Sequence, residues 1–415
     1  MTVRTPRDIL RSMMPVLAAV VLVCADIACA SAPPCAAARE DQAWRPQVYA
    51  DDRRVLRVGP ARAIKLPRDA AGLARDGDVV LIDDGDYPDA TAIWKANGLL
   101  IRGEGGRPHM IGGEKLAQGK AIWVINGADV TVENIEFSGA RVKARNGAGI
   151  RAQGRGLTVR AAFFHDNENG ILTGPIPDGW LVVEHSEFAR NGAGDGKSHN
   201  LYVGRIPRFE LRHSYSHGAR QGHLVKSRAA TNIIEYNRLI DDADGTASYE
   251  IDLPNGGQAV LRGNVIVQSA GSPNHAIVSY AAESAATTVP GGLVMVHNTI
   301  YSRRARGSYV VNKGGAPALL FNNLMSGSPG PAVQGAHEGH GNLTVSASDF
   351  VDVRGDNYTL TTRSRAIDAG VGLPAELGPD AAPLFEPAEP LIGRPRPVSG
   401  KYDTGAFEFC AGPAP

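Results

Sequence analysis

A six-residue string with apolar ends, apolar-x-x-x-x-apolar, returns eight times between residues 132 and 325. The copies are Val132-Glu-Asn-Ile-Glu-Phe137, Val159-Arg-Ala-Ala-Phe-Phe164, Val183-Glu-His-Ser-Glu-Phe188, Leu211-Arg-His-Ser-Tyr-Ser216, Ile234-Glu-Tyr-Asn-Arg-Leu239, Leu261-Arg-Gly-Asn-Val-Ile266, Met295-Val-His-Asn-Thr-Ile300 and Leu320-Phe-Asn-Asn-Leu-Met325. Their first residues stand 27, 24, 28, 23, 27, 34 and 25 apart, a mean of about 27. A unit of that length, made of short β-rich strings broken by Gly and Asn, is too short for a propeller blade and lacks the leucine signature of a horseshoe repeat. It matches one coil of a right-handed parallel β-helix, in which strands of successive coils lie about 4.8 Å apart and equivalent residues form ladders along the axis. The fourth place of the string holds Asn237, Asn264, Asn298 and Asn323, with Ser186 and Ser214 in the same column. Asparagine tolerates left-handed backbone and stacked amides bond one another, so this column reads as an internal turn ladder without chemistry.

Glycine, at 49 of 415 residues, supplies the many corners such a coil needs, and it keeps no collagen triplet. Recurrent Val, Ile and Leu exclude a disordered chain. With 43 basic against 43 acidic side chains, a dedicated nucleic-acid binder is not expected. Residues 1–32 read as a secretory signal peptide: Arg4, Arg7 and Arg11 precede the apolar run from Met13 to Val23, and Ala30-Ser31-Ala32 offers a cleavage site. The run is shorter than the ~20 residues a transmembrane helix requires, and no later segment is a candidate span. A periplasmic or secreted monomer without stable membrane insertion is expected. Cys24 and Cys29 fall in the leader, leaving Cys35 and Cys410 in the two tails. An oxidising compartment would let them pair, but an elongated body argues that the termini lie too far apart for the ~7 Å limit between Cα atoms.

The flanks complete the fold. Pro67-Arg-Asp-Ala-Ala-Gly-Leu-Ala-Arg75 reads as a short amphipathic helix capping the open edge of the first coil, before Asp78-Val-Val-Leu-Ile82. After about residue 345 the pattern dissolves, and Tyr358-Thr-Leu-Thr361, Ala366-Ile-Asp-Ala-Gly370 and Asp403-Thr-Gly-Ala-Phe-Glu408 read as closing segments. With them the chain over about 55–409 resembles bacterial β-helix proteins of the pectate-lyase-like class. The expectation is an all-β, single-domain right-handed parallel β-helix of about 9–11 coils. Its parts are a linker over 33–54, the helix proper over 55–345 and a closing segment and tail over 346–415.

A second strand position lies between the hexamers. Aligning Ile150, Ile171, Leu201, Leu224, Ile251, Ile277 and Val310 as its inward residues makes the preceding column Gly149, Gly170, Asn200, His223, Glu250, Ala276 and Tyr309. With Tyr202 and Asp252 from the column after, this puts Asn200, His223, Glu250, Tyr202 and Asp252 on one outer face of three coils. Seven basic residues (Lys197, Arg205, Arg208, Arg212, Arg220, Lys226, Arg228) and four histidines crowd 195–228, and six acids crowd 233–252. That mixture suits an anionic substrate and proton transfer.

The string Gly222-His-Leu-Val-Lys-Ser227, followed by Thr231-Asn-Ile-Ile-Glu-Tyr-Asn-Arg238, resembles the catalytic coil of the chondroitinase B and alginate lyase family. The resemblance implies Lys226 as Brønsted base. Leu253-Pro-Asn-Gly-Gly257 is similar to that family's Leu-Arg-His-Gly segment, with Pro254 in the arginine's place, and His223 stands near a calcium-binding glutamate position. β-Elimination on a uronate polymer needs a base, cations or donors for the carboxylate, and an acid for the leaving oxygen. Lys226 with Arg228 and His223 beside it is the candidate base. Tyr202 or His223 is the candidate acid, and Glu250 is placed to orient His223. Lys197, His199, Asn200, Arg220, Tyr249 and Asp252 are candidate substrate ligands, and Glu250 with Asp252 candidate Ca²⁺ ligands, no organic cofactor being required.

The first expectation is therefore a lyase acting on an acidic polysaccharide. The alternatives are a C5-epimerase of related mechanism, a polygalacturonase-like hydrolase using two of Asp241, Asp242, Asp244, Glu250 and Asp252, and a non-catalytic glycan-binding or adhesion β-helix.

Overall fold

The computed structural model describes residues 40–283, 289–327 and 332–410. The leader and Cys35 lie outside these residues. Three parallel sheets of twelve, eleven and ten strands wind into a right-handed solenoid of about ten coils, as the repeat requires. The hexamer spans a corner. Its first residue is the last but one of a strand of the twelve-stranded sheet (Val183 in Trp180–Glu184) and its last lies in the eleven-stranded sheet (Phe188 in Glu187–Ala189). Both ends point inward, where Phe137, Phe164 and Phe188 stack 5.0 Å apart with nearly parallel rings.

The corner ladder is present, with one change to its logic. Asn237, Asn264, Asn298 and Asn323 each donate their side-chain amide to the Oδ1 of the next rung at 2.9–3.0 Å, and Asn342 ends the series. The left-handed residue is the one before, at the third place: His185, His213, Tyr236, His297 and Asn322 have φ between 46° and 58°. Asparagine is therefore needed for its side-chain bonds more than for its backbone tolerance.

The one α-helix among the described residues, Pro67–Leu73, seats Pro67 and Ala70 at the start of the core as a cap. The closing segment turns back along the solenoid. Tyr358, Leu360, Ala366, Ala406 and Phe407 cover Ile240, Val265 and Val267 on the outer side of the eleven-stranded sheet. Phe385 stands edge-on to the rings of His213 and Tyr236. Farther on, Gly393 exchanges two backbone hydrogen bonds with Gln42, at 2.6 and 2.9 Å. This return brings the tails together, which corrects the expectation that an elongated body keeps them apart. Cys410 is disulfide-bonded, and every other cysteine lies outside the described residues.

Candidate active site

In the ten-stranded sheet the register pairs Leu201 with Val225 and Ile251, and Tyr202 with Lys226 and Asp252. The next strand adds Ser279 beside Asp252, while Leu172 and then Arg151 precede Tyr202. The outward column is thus Arg151, Leu172, Tyr202, Lys226, Asp252, Ser279. This differs from the expected alignment by one residue at Leu224 and Ile277. Each strand begins at a bend where two consecutive side chains point inward, as Leu224 and Val225 do, so apolarity alone did not fix the phase.

The slip moves His223, and the second inward position at the bend takes Asn200 and Glu250. Asn200 does not face out. It is fully buried, donates to Phe188 O at 3.2 Å, Ser216 Oγ at 3.0 Å and His217 O at 2.8 Å, and accepts from Asn191. It belongs to a second ladder, Asn167–Asn191–Asn200, at the other corner. Glu250 is also fully buried, inside the solenoid, with no hydrogen-bond partner in another residue. Burial, then the nearby Asp241 carboxylate, pushes its carboxyl well above the usual range. It neither orients His223 nor faces the solvent. His223 falls two places before the inward residue, stacked on His199 at 4.3 Å with Tyr249 edge-on at 5.1 Å.

Around Lys226 the contacts are close. Its Nζ lies 3.2 Å from Asp252 Oδ2, and His223 Nε2 is 3.5 Å from the same oxygen. Burial, with Lys226 second, pushes His223 down to about 3, so it is a neutral imidazole and no proton donor at neutral pH. His199, lowered by burial and then by His223, accepts the His223 backbone N–H at Nδ1 over 3.0 Å. Burial raises the Asp252 carboxyl, against the pull of Lys226 and Ser279. Tyr202 carries its phenol oxygen 3.0 Å from Arg228 Nε, and Lys226 Nζ stands 5.8 Å from its ring centre. Arg228 is held by both oxygens of Glu283 and by Asn255 at 2.6 Å each. Burial and Asp252 raise the Tyr249 phenol.

Beside Tyr202 opens a cavity of about 560 Å³ whose charged walls are Arg145, Arg151, Lys197, Arg205 and Arg228, with Asp195 as the acid. Sequence reading proposed none of Arg145, Arg151 and Arg205 as a site residue, and met Arg205 only within the basic cluster over 195–228. Arg151 was visible one place after Ile150, and the register sets it two rungs from Tyr202. It is half-buried, its Nε has no partner, and burial lowers its guanidinium. Arg220 lies off this wall, paired with Asp166. The Ca²⁺ expectation does not fit, because Glu250 points into the core while Asp252 is taken by Lys226. Of the five acids of the hydrolase reading, Asp241 is buried and bonded to Ala247 N, Asp242 pairs with His217, Glu250 is internal, Asp252 faces Lys226, and Asp244 is exposed.

No protein-family model matches the chain and no curated protein sequence does. Among solved structures, pectate lyase Pel9A is similar at a TM-score of 0.59 and 14% identity, over 86% of this chain and 97% of that one. An alginate lyase from Paenibacillus sp. strain FPU-7 gives 0.44 and 16%, over 66% and 96%. A PL6-family polysaccharide lyase from Pseudopedobacter saltans gives 0.43 and 11%, over 71% and 85%. The likeness is one of fold: the chain is a right-handed parallel β-helix, as the pectate lyase is. No helix among the described residues is long and apolar enough to cross a membrane.

Proposed function

We propose that the Tyr202–Lys226–Asp252 column is the active site of a polysaccharide lyase that cleaves a uronate-containing glycan by β-elimination. The observation that carries the reading is the placement of one amine, Lys226, between a phenol and a carboxyl on the outer face, next to a wall of five cations. Lys226 abstracts the proton from the carbon bearing the uronate carboxylate, and Asp252, 3.2 Å away, is the acceptor in reach for the proton Lys226 gives up beforehand. Arg151 and Lys197 supply charge to the carboxylate as the enolate forms. Tyr202 protonates the leaving oxygen, and Arg228, fixed by Glu283, stabilises the phenolate that results. His223 and His199 are positioning residues: neutral, stacked and packed behind Asp252. The proposal needs neither metal nor organic cofactor.

The export reading of residues 1–32 stands with it, and the disulfide at Cys410 accords with an oxidising compartment. Lys226→Ala is expected to lower turnover on the cognate polymer by at least about 10²-fold, followed by the ultraviolet absorbance of unsaturated ends, while binding to that polymer is kept. Full turnover in this variant would remove Lys226 as base. Unchanged binding by both proteins with no product from either would leave the adhesion reading.

A further inference from the structure

The outer face of the eleven-stranded sheet is covered by the closing segment from Arg238–Ile240 onward, while among the described residues that segment does not reach the earlier coils, whose outward side chains are partly exposed. There the strands His109–Ile111, Glu136–Ser138 and Phe163–His165 lie side by side, with His109 paired to Glu136 and Ser138 paired to His165. Glu136 therefore sits between two imidazoles from the coils on either side. Its Oε1 is 2.9 Å from His165 Nε2 and 3.6 Å from His109 Nε2, and the three side chains are between 15% and 24% exposed.

From this geometry we infer a binding site for a divalent transition-metal ion of the Zn²⁺ type, held by His109 Nε2, His165 Nε2 and Glu136 Oε1. Two ligands on bonds of about 2.0–2.1 Å at a tetrahedral angle stand about 3.3–3.4 Å apart. The two separations here bracket that value, so small side-chain rotations bring all three donors onto one ion. Two imidazoles and one carboxylate form a borderline donor set suited to zinc, cobalt or nickel, not to calcium.

The surroundings carry the inference beyond the cluster itself. Each imidazole has a carboxylate at its other nitrogen: Asp166 Oδ2 lies 2.9 Å from His165 Nδ1, and Asp86 Oδ1 3.3 Å from His109 Nδ1. A carboxylate at Nδ1 holds the proton there and leaves the Nε2 lone pair for a metal, the usual support of a ligating histidine. Phe163 stacks on His165 at 4.5 Å and limits its rotation. Without an ion, His109 Nε2 hydrogen-bonds Ser138 Oγ at 2.7 Å, so binding exchanges that bond for a metal bond.

His217 supplies an internal comparison. Two rungs farther along the same column, it lies between Glu187 and Asp242 at 3.1 and 3.3 Å. Among the described residues no second imidazole completes that group, and the set near enough to share an ion is His109, Glu136 and His165. The proposed ion pins three successive coils and keeps one coordination position toward solvent.

The test is a titration of the untagged full chain, stripped with a chelator, with Zn²⁺ and then with Co²⁺. One Zn²⁺ per chain is expected, with a rise in melting temperature and, for Co²⁺, visible bands of a four-coordinate ion. His109→Ala and His165→Ala should each weaken binding at least tenfold and abolish the thermal shift, while His217→Ala leaves both unchanged. Should an alanine variant fail to fold, Glu136→Gln serves in its place, with circular dichroism confirming the coil. Absence of saturable one-to-one binding, or equal affinity in the His109 and His165 variants, would overturn the site.

Discussion

Glu250 puts a carboxyl inside the solenoid without a partner from another residue, and its proton is the means by which it stays there. Burial raises its pKa well above 4.5. The folded chain then holds a proton that the unfolded chain releases, so stability falls as pH rises from the unfolded value toward the folded one. Asp241, raised to about 6 mainly by burial, adds the same trend between its ordinary value of 3.8 and that point. Glu250→Gln mimics the protonated acid. In denaturation experiments the variant should match the natural chain near the unfolded carboxyl value and exceed it increasingly as pH rises, by roughly 1.4 kcal/mol for each pH unit until the folded pKa is passed. Parallel profiles would show that Glu250 traps no proton. Sequence reading singled out the residue and misjudged its side. Tyr202 and Asp252 were legible as outward because each follows the inward apolar residue of its strand. Lys226 was not: with Leu224 taken as inward the column passed through Val225, and only the family resemblance pointed to the lysine. At Asn200 and Glu250 the corner supplies a second inward position that no polar residue announces.

At the scale of the corner, the asparagine ladder turns a sequence column into a continuous chain of bonds. Asn264 accepts from the backbone and side-chain amides of Asn237 at 3.0 Å each and donates to Ile234 O at 2.8 Å. Its replacement by alanine leaves the Asn237 N–H and the Ile234 carbonyl buried and unpaired, an expected loss of about 3 kcal/mol in denaturant unfolding. The same change at Asn342, the half-buried last rung, should lower stability by clearly less; equal effects at both positions would contradict the ladder as the stabilising device. This element was readable because its period is enforced at every coil. The second ladder, Asn167–Asn191–Asn200, was not, since the spacing from Asn191 to Asn200 is 9 residues where the step before it is 24. The turn from Ala189 to Leu201 is longer than its equivalent from His165 to Ile171, and Asn200 joins the ladder from the far side of that insertion, which hides the equivalence. Gly170 marks the same corner: an added Cβ would come 2.5 Å from Asn200 O and 2.8 Å from the Phe188 ring, so only glycine lets the aromatic stack close over it.

Across the whole molecule, charges that cancel in total are sorted in space. The cavity beside Tyr202 carries five cations against Asp195, although basic and acidic residues number 43 each. A polyanion bound along that wall should lose affinity by about tenfold or more between roughly 50 and 300 mM salt, as screening shortens from ~14 to ~6 Å. Apparent affinity measured over that range checks it, and a flat response would place the polymer elsewhere. The solenoid was legible from the hexamer because one coil dictates the next. The return path of the closing segment was not, because residues beyond 345 carry no period, and their apolar side chains do not reveal that the outer face of a sheet is what they cover.

The account rests on elimination at Lys226, and the most direct test is to cleave the acidic polymers alginate, galacturonan and the glycosaminoglycans in ¹⁸O-labelled water. The expected result, for the polymer that is cut, is a pair of new ends without solvent oxygen, one of them an unsaturated uronate, formed by the natural chain and not by Lys226→Ala. Heavy oxygen in the new reducing end would mean that water breaks the bond, and elimination at this column would be contradicted.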